Sequence, residues 1–352
     1  MSPLTTEILT EAIRRGASDV HLLAGRPPAY RIDGAIEISP RDPIPGEQLT
    51  AMLQAAVTPT QWEAFVTDRR LCVSIPAPGG GHLRLTLSSH LNQPEASIRL
   101  GKPALPSLAE LGVPEILLDS VRRPWGLVLV TGPTGVGKTT TLNAIISRIN
   151  EEDRKKIITV EDPVEYEHPH GRSLIVQQEV GLDTPNFATA VVHALRQDPD
   201  MLVIGEMRDI HTIATGLTAA ETGHVVLATL HTTTADGTIS RLVDVFPADQ
   251  QQQIRTQLAT TLTAIFCQRL LPRADGKGRI LIYELLIATD AVRNLIRENK
   301  THMLRNCIQT GMSLGMRTMD QMVKDAWEAG EITWDTALSV ISDRRVLGTK
   351  AV

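Results

Sequence analysis

The chain has 352 residues, enough for about two or three domains, and 42% of them are hydrophobic, which is typical of a globular protein with a buried core. Its net charge of −5 argues against a nucleic-acid channel, and no apolar run approaches the ~18 residues that a membrane helix needs. Glu7 and Glu11 interrupt the first residues, so we expect no signal peptide. The cysteines, Cys72, Cys267 and Cys307, are widely spaced, which suits a reducing compartment and lacks the spacing of a zinc site.

Residues 1–100 predict a small α+β domain. A helix over 6–15 is stopped by Gly16, and Asp33-Gly34 predicts the turn of a hairpin. Two more helices follow, at 47–57 and 60–66. Three strands come next, at 71–75, 82–87 and 96–100. A Gly-rich loop at 77–81 joins the first two of these strands. The prolines in 101–120 indicate a linker between domains.

Residues 121–352 predict a second domain, in which strands and helices alternate. This order is typical of an α/β fold with a mostly parallel sheet. The expected strands are 127–130, 157–160, 201–204 and 225–230. A helix is expected after the first strand, and further helices are expected at 185–197, 210–223 and 248–266. A hairpin turn is expected at 275–278, and the remainder from 290 is mostly helical.

The segment 132–139 fits the pattern G-x-x-x-x-G-K-[ST], the phosphate-binding P-loop, between an apolar strand and a helical pattern. Glycines allow the backbone N–H groups to surround phosphate oxygens. Lys138 places a cation against the β- and γ-phosphates, and the Thr139 hydroxyl can ligate Mg²⁺. We therefore predict a nucleotide site that contains Gly132, Pro133, Thr134, Gly135, Val136, Gly137, Lys138, Thr139 and Thr140.

Acidic side chains follow two of the expected strands, where ligands collect in open α/β sheets. The acidic segment 161–165 follows one strand and Gly205-Glu206 follows the next. Hydrolysis of a γ-phosphate needs one carboxylate for the attacking water and another for the hydration shell of Mg²⁺. Glu206 is the candidate for the metal, through water, because Gly205 stands where many P-loop proteins have Asp.

Two histidines flank the strand at 225–230. His231 lies at its carboxyl end and is a candidate for contact with the γ-phosphate or with a neighbouring subunit. For His224, a role in the nucleotide site and a purely structural role are equally compatible with the pattern.

Motifs along nearly the whole chain resemble those of the PilT-type retraction ATPases of bacterial type IV pili, in the secretion ATPase superfamily. The most specific is Ala291–Glu298, AVRNLIRE, which is similar to the AIRNLIRE signature of these proteins. Trp125 departs from the pattern, since relatives usually carry arginine there. The other motifs are the segments 17–22, 132–139, 161–165, 205–209, 222–233 and 311–316.

The resemblance implies a PAS-like N-terminal domain and a RecA-like P-loop ATPase domain. It implies a homohexamer that hydrolyses ATP with Mg²⁺, powers pilus retraction and acts at an inner-membrane platform protein of the pilus machinery. It leaves a paralogous ATPase open as a further partner, and it implies a cytoplasmic location and no nucleic-acid partner. Glu165 is implied as the general base, with Glu161 as the second choice. Arg84 and Arg99 match positions from which relatives supply arginines to an ATP site, although alone they would be read as exposed strand charges.

Three other functions stay open. A pilus-extension or type II secretion ATPase would be longer and would usually carry a tetracysteine module where this chain has a short turn, between Cys267 and Tyr283. A nucleotide-binding regulatory subunit would not need an intact Lys138, Glu165 and Glu206. A RecA-like helicase is disfavoured by the acidic charge and by the lack of a basic aromatic stripe.

The segment Asp290–Glu298 predicts an amphipathic helix with Val292, Leu295 and Ile296 on its apolar side. It contains no residue suited to ATP chemistry. We hypothesise that it couples the nucleotide state to the pilus machine, with Arg293 and Arg297 facing a partner.

Overall fold

The computed structural model describes residues 1–32, 35–78, 82–100 and 105–347. By its internal contacts the chain divides into two units, 1–104 with 163–169 and 105–162 with 170–352. The expected turn at Asp33-Gly34, the tip of the Gly-rich loop at 79–81 and the first part of the expected linker, 101–104, lie outside the described residues.

The first unit is built on an antiparallel sheet. Its strands are β1 (Asp19–Leu23), β2 (Ala29–Ile32), β3 (Ala35–Ile38), β4 (Arg70–Pro76), β5 (His82–His90) and β6 (Gln93–Arg99). Its helices are α1 (Pro3–Arg14), α2 (Gly46–Gln54) and α3 (Pro59–Asp68). The strand order is β3-β2-β1-β6-β5-β4. Alternate strand residues such as Leu22, Leu85 and Ile98 are buried with Ile8 and Leu9 of α1, so one face of the sheet forms the core.

The second unit contains a seven-stranded sheet. Its strands are β7 (Gly126–Thr131), β8 (Lys156–Glu161), β9 (Leu174–Glu179), β10 (Met201–Ile204), β11 (Val225–Leu230), β12 (Leu262–Pro272) and β13 (Arg279–Ile287). The order is β13-β12-β7-β11-β10-β8-β9, and every neighbouring pair is parallel except β12 with β13. This confirms the expected mostly parallel sheet.

Helices connect and cover these strands. They are α4 (Leu108–Leu111), α5 (Glu115–Val121), α6 (Lys138–Glu152), α7 (Phe187–Ala194), α8 (Ile210–Glu221), α9 (Ala235–Asp244), α10 (Gln251–Thr261), α11 (Asp290–Arg297), α12 (Leu304–Thr310), α13 (Met319–Glu328) and α14 (Trp334–Val340). Every residue of β7, β10 and β11 is buried, as expected for parallel strands that are covered on both faces.

The helix expected over 248–266 is wrong in its last five residues. α10 ends at Thr261, and the residues from Leu262 onward form β12, which pairs in parallel with β7. The apolar run at the start of β12 is compatible with a buried helix or a buried strand, and pairing with β7 decides for the strand. β1 and β9 were not expected either.

The expected linker also differs from the structure. Its described part, 105–120, contains α4 and most of α5, and Leu108, Leu117 and Leu118 are buried in the core of the second unit. Apolar residues at helical spacing therefore outweigh the prolines in this segment.

Helix length also bears on membranes. The longest helix of the described residues, α6, has 15 residues. In that part of the chain no helix combines the length and the apolar content that a bilayer crossing requires.

His168 lies in the segment 163–169, which groups with the first unit. Its side chain is buried, and its ring meets that of Tyr166 edge-on at 5.0 Å between centroids. Burial lowers the pKa of His168 to about 4, because an imidazolium ion loses its hydration there. The folded protein therefore keeps this histidine neutral at pH values where an unfolded chain would protonate it.

We predict that His168 makes the protein acid-sensitive. Its folded pKa lies below the unfolded value of ~6.5, so stability is full above that value and falls as the pH drops toward 4. Urea unfolding at pH 7 and pH 5 should show a loss of about 1–2 kcal/mol that His168→Gln removes. The exposed neighbour His170 provides the control, since His170→Gln should keep the full loss. An equal loss in His168→Gln and the parent would contradict this assignment.

Candidate active site

The P-loop joins β7 to α6, and its path depends on glycine. Gly132, Gly135 and Gly137 have φ angles of +143°, +81° and +85°, which L side chains rarely adopt. A Cβ atom on Gly132 would lie 2.4 Å from the carbonyl oxygen of Gln268 in β12. The loop therefore lies directly against the backbone of the neighbouring strand.

The backbone N–H groups of residues 134–140 donate to no acceptor in the described part of the chain. They include the first N–H groups of α6, where the helix dipole adds partial positive charge. Free N–H groups in a glycine loop at a helix N-terminus form a phosphate site. The loop thus fits the phosphates of a nucleotide, and Thr139, which follows Lys138, brings a hydroxyl group to the same end of the helix.

Lys138 lies over the loop. Its Nζ donates to the carbonyl oxygens of Gly132 and Pro133, at 2.8 and 3.0 Å. Burial lowers the pKa of Lys138, and the charge of Glu206 opposes that shift. Because the cation is partly withdrawn from water, its attraction for a phosphate is screened less than it would be on an open surface.

His231 connects Lys138 to Glu206. Its Nδ1 lies 3.4 Å from Lys138 Nζ, and its Nε2 lies 2.9 Å from Glu206 Oε1. A neutral imidazole protonated at Nε2 satisfies both contacts, because Nε2–H donates to the carboxylate and Nδ1 accepts from the ammonium group. We call this arrangement the Lys138–His231–Glu206 chain.

Glu206 follows β10 and has a second partner, Arg208, whose Nη2 lies 2.6 Å from Glu206 Oε2. Burial raises the pKa of Glu206, but hydrogen bonds from Arg208 and His231 outweigh it, and the pKa lies below its ordinary value. The carboxylate is therefore ionised near neutral pH. An ionised carboxylate next to a phosphate loop suits the hydration shell of Mg²⁺.

Glu161 occupies a different place. It ends β8, is buried, and accepts hydrogen bonds from Thr159 Oγ1 at 2.6 Å and Gln177 Nε2 at 3.0 Å. In the sheet order, β8 is three strand spacings from β7, or about 15 Å. Glu161 is thus held by its own strand and by β9.

Arg84 and Arg99 lie directly opposite each other on β5 and β6 of the first unit. Asp19 of β1 is paired with both Arg99 and Arg31, and Arg99 Nε lies 3.2 Å from Asp19 Oδ1. Residues that face each other across strands share one face of a sheet, so Arg31, Asp19, Arg99 and Arg84 form an arginine row with one acid. The structure brings the two predicted arginines together.

Glu165 also belongs to the first unit, in the segment 163–169, and is exposed. The segment is held at Val164, whose carbonyl oxygen accepts a hydrogen bond from Ser74 Oγ at 3.2 Å. Ser74 on β4 is the cross-strand partner of Arg84. The segment that carries Glu165 is therefore attached beside the arginine row.

A family model described as "Type II/IV secretion system protein" matches residues 1–333. The chain belongs to this family. It is 40% identical over 332 residues to the Type IV pilus retractation ATPase PilT of Pseudomonas aeruginosa, with 94% of this chain and 96% of the relative covered. It is 41% identical over 310 residues to a twitching motility protein of Neisseria gonorrhoeae, with 88% and 83% covered. A crystal structure of the pilus retraction motor PilT with bound ADP matches with a TM-score of 0.90 and 42% identity over 97% of both chains.

His224 requires a correction. It precedes β11, beside Gly126 at the start of β7, and its Nδ1 lies 3.1 Å from the carbonyl oxygen of Ala219 at the end of α8. The P-loop follows the other end of β7, so the length of the strand, roughly 20 Å, separates it from His224. His224 therefore cannot reach a phosphate held by the loop of its own chain.

The α11 helix is amphipathic as expected, with Val292 and Ile296 buried and Leu295 packed on the core. Arg293, however, donates through Nη1 to the carbonyl oxygens of Ala259 and Thr260, which end α10. It satisfies carbonyl groups that the helix leaves unpaired. A structural role thus accounts for Arg293, and of the two arginines only Arg297 is exposed.

Three residues near the P-loop escaped the sequence analysis as site residues. Arg208 lies two positions after Glu206, and this spacing could have suggested Arg208 as a partner of that carboxylate. Gln268 and Arg279 contact the loop from β12 and β13, through Val136 and Gly135. No local pattern marks these last two, because their proximity to the loop depends on strand pairing.

Lys138→Ala should abolish nucleotide binding to the loop while the fold survives, because it removes the cation that faces the phosphates. Fluorescent-nucleotide titration and phosphate release measure the two effects, and turnover should fall at least about 100-fold. Lys277→Ala removes an exposed cation in the turn between β12 and β13 and should behave as the parent. Near-parent turnover in Lys138→Ala would rule out this loop as the catalytic site.

Proposed function

We propose that this chain is a motor ATPase that hydrolyses ATP to power the retraction of type IV pili by disassembling them. One observation carries the proposal. The Lys138–His231–Glu206 chain lies at a complete phosphate loop, in a protein that matches a named pilus retraction ATPase over nearly its whole length. The charged groups of this site are those that transfer of a phosphoryl group to water requires.

Each residue has a defined part in the proposed reaction. The N–H groups of residues 134–140 and Lys138 bind the phosphates and neutralise charge that develops on the γ-phosphoryl group. Glu165 takes a proton from the attacking water as the general base. Glu206 would hold the hydration shell of Mg²⁺ and Thr139 would be its protein ligand, and the ion would supply further charge neutralisation. His231 links Lys138 to Glu206, so changes at the γ-phosphate reach the acid after β10.

We also propose that six copies form a ring and that Arg84 and Arg99 act on ATP bound by a neighbouring copy. Arg84 and Arg99 face each other across β5 and β6, and Arg99 pairs with Asp19. Guanidinium groups placed together on one face of a sheet suit the binding of an anion. Arginines that reach a γ-phosphate are worth about 10³–10⁵ in rate.

The proposed place of work is the cytoplasmic face of the inner membrane, at the platform protein of the pilus machine. A paralogous ATPase is a candidate partner there. Arg297, exposed on α11, remains available for such a contact, whereas Arg293 is engaged with the end of α10.

The deletion phenotype tests the direction of the motor. Cells that lack the protein should carry excess surface pili and lose twitching, because assembly continues without disassembly. The parent gene should restore twitching, and a Glu165→Gln variant at the same level should not. Bald cells would contradict retraction and would indicate an assembly ATPase.

Mixed rings test the action of the arginines across subunits. Arg84→Ala and Lys138→Ala subunits should each be inactive alone, but mixtures should recover part of the ATP turnover, since some interfaces combine an intact arginine row with an intact P-loop. The Arg26→Ala variant in place of Arg84→Ala gives a control that changes an exposed arginine outside the row. A monomer, isolated by size exclusion, that turns over ATP as fast per chain as the ring would disprove action across subunits.

A further inference from the structure

Two side chains from the β12–β13 hairpin hold the outer side of the P-loop. Gln268 in β12 is buried, and its Nε2 donates to the carbonyl oxygen of Val136 at 2.6 Å. Arg279, the first residue of β13, donates from Nη1 to the carbonyl oxygen of Gly135 at 3.4 Å. Two successive carbonyl groups of the loop are therefore bound from the same side.

The geometry of the peptide bond converts these contacts into an orientation. A trans peptide unit is planar, so the C=O of one residue and the N–H of the next point in opposite directions. A donor on the Val136 carbonyl directs the N–H of Gly137 away from β12, and a donor on the Gly135 carbonyl does the same for the N–H of Val136. Both are among the N–H groups of residues 134–140 that lack an acceptor in the described part of the chain.

The buried amide of Gln268 lowers the stability of the fold. Its Oε1 is buried and has no hydrogen-bond partner among the described residues. An unpaired buried acceptor is unfavourable, and an apolar side chain of similar size would avoid the penalty. Packing alone therefore does not explain a glutamine here, whereas a required donor to Val136 does.

The fit between β12 and the loop makes the contact specific. The backbone oxygen of Gln268 occupies the space in which Gly132 would carry a side chain. A Cβ atom on Gly137 would lie 3.7 Å from Gln268 Nε2. Gln268 therefore touches the loop at its first glycine, at Val136 and beside its last glycine.

We propose that Gln268 is a positioning residue for nucleotide binding, which holds the P-loop in the conformation that receives phosphates. Arg279 is a second positioning residue, which contacts the loop more weakly. The inference rests on the proposed function only in that the loop binds ATP. It assigns to the hairpin a role in the affinity for nucleotide, separate from the chemistry of hydrolysis. The positioned N–H groups would bind phosphates before and during the reaction, so their loss should weaken ground-state binding.

The test is Gln268→Leu, which removes the donor at nearly constant volume. Titration with fluorescent ATP and ADP should show affinity about tenfold weaker for both, the size expected for one lost buried hydrogen bond. KM for ATP should rise by a similar factor, while kcat at saturating ATP stays within about threefold. The melting temperature should change by no more than about 2 °C, because the unpaired Oε1 is removed together with the donor. If Gln268→Leu does not fold, Gln268→Met, which is unbranched and also lacks a donor, takes its place.

Two arginines of the hairpin provide the comparison. Arg279→Ala should weaken nucleotide binding about threefold, in keeping with its longer contact. Arg273→Ala removes an arginine near the other end of the same turn, paired with Glu331, and should leave affinity unchanged.

Unchanged affinity in Gln268→Leu, beside a parent that binds ATP, would overturn the role of Gln268 and leave the proposed function intact. A lower melting temperature and lower kcat with unchanged KM would also overturn it, since they would indicate a purely structural residue. A parent that binds no ATP would overturn both proposals.

Discussion

Parallel pairing around β7 is the constraint on which the rest of this protein depends. β7 lies between β11 and β12, and all three strands run in the same direction. The carboxyl ends of β7, β10 and β11 therefore meet at one edge of the sheet, and the P-loop, Glu206 and His231 follow these ends. Burial of every residue of β7 on both faces makes this alignment hard to shift, because a change of register would disrupt the close packing of its side chains against the elements on each side.

The same alignment produces a balanced set of charges. Lys138 is partly desolvated, and Glu206 keeps an ionised carboxylate through hydrogen bonds from Arg208 and His231. His231 stands between them and contacts both.

The sequence predicted the parts of the protein that local pattern determines. Short local patterns, each within a few residues, identify the P-loop, the four central strands and the acids that follow them. The apolar side of α11 follows from helical spacing.

Contacts between distant segments escaped prediction. The start of β12 was predicted as the end of a helix, because an apolar run without periodicity fits a buried helix and a buried strand equally. The contact of Gln268 with the P-loop depends on β12 and was therefore missed. Chain direction alone would have separated His224 from His231, since only the latter follows its strand. The face-to-face placement of Arg84 and Arg99 needed the register of β5 with β6.

The arginine row has a consequence for how the first unit responds to salt. Most surface ion pairs attract, so added electrolyte weakens them. Here Arg31, Asp19, Arg99 and Arg84 stand in cross-strand register on one face of the sheet, so the Arg84–Arg99 neighbours carry like charge while Arg99 pairs with Asp19. At physiological ionic strength the screening length is about 8 Å, comparable to the separation of neighbouring side chains in the row. Added electrolyte should therefore weaken the repulsion between Arg84 and Arg99 as well as the attraction between Arg99 and Asp19, and multivalent anions should do so at far lower concentration than chloride.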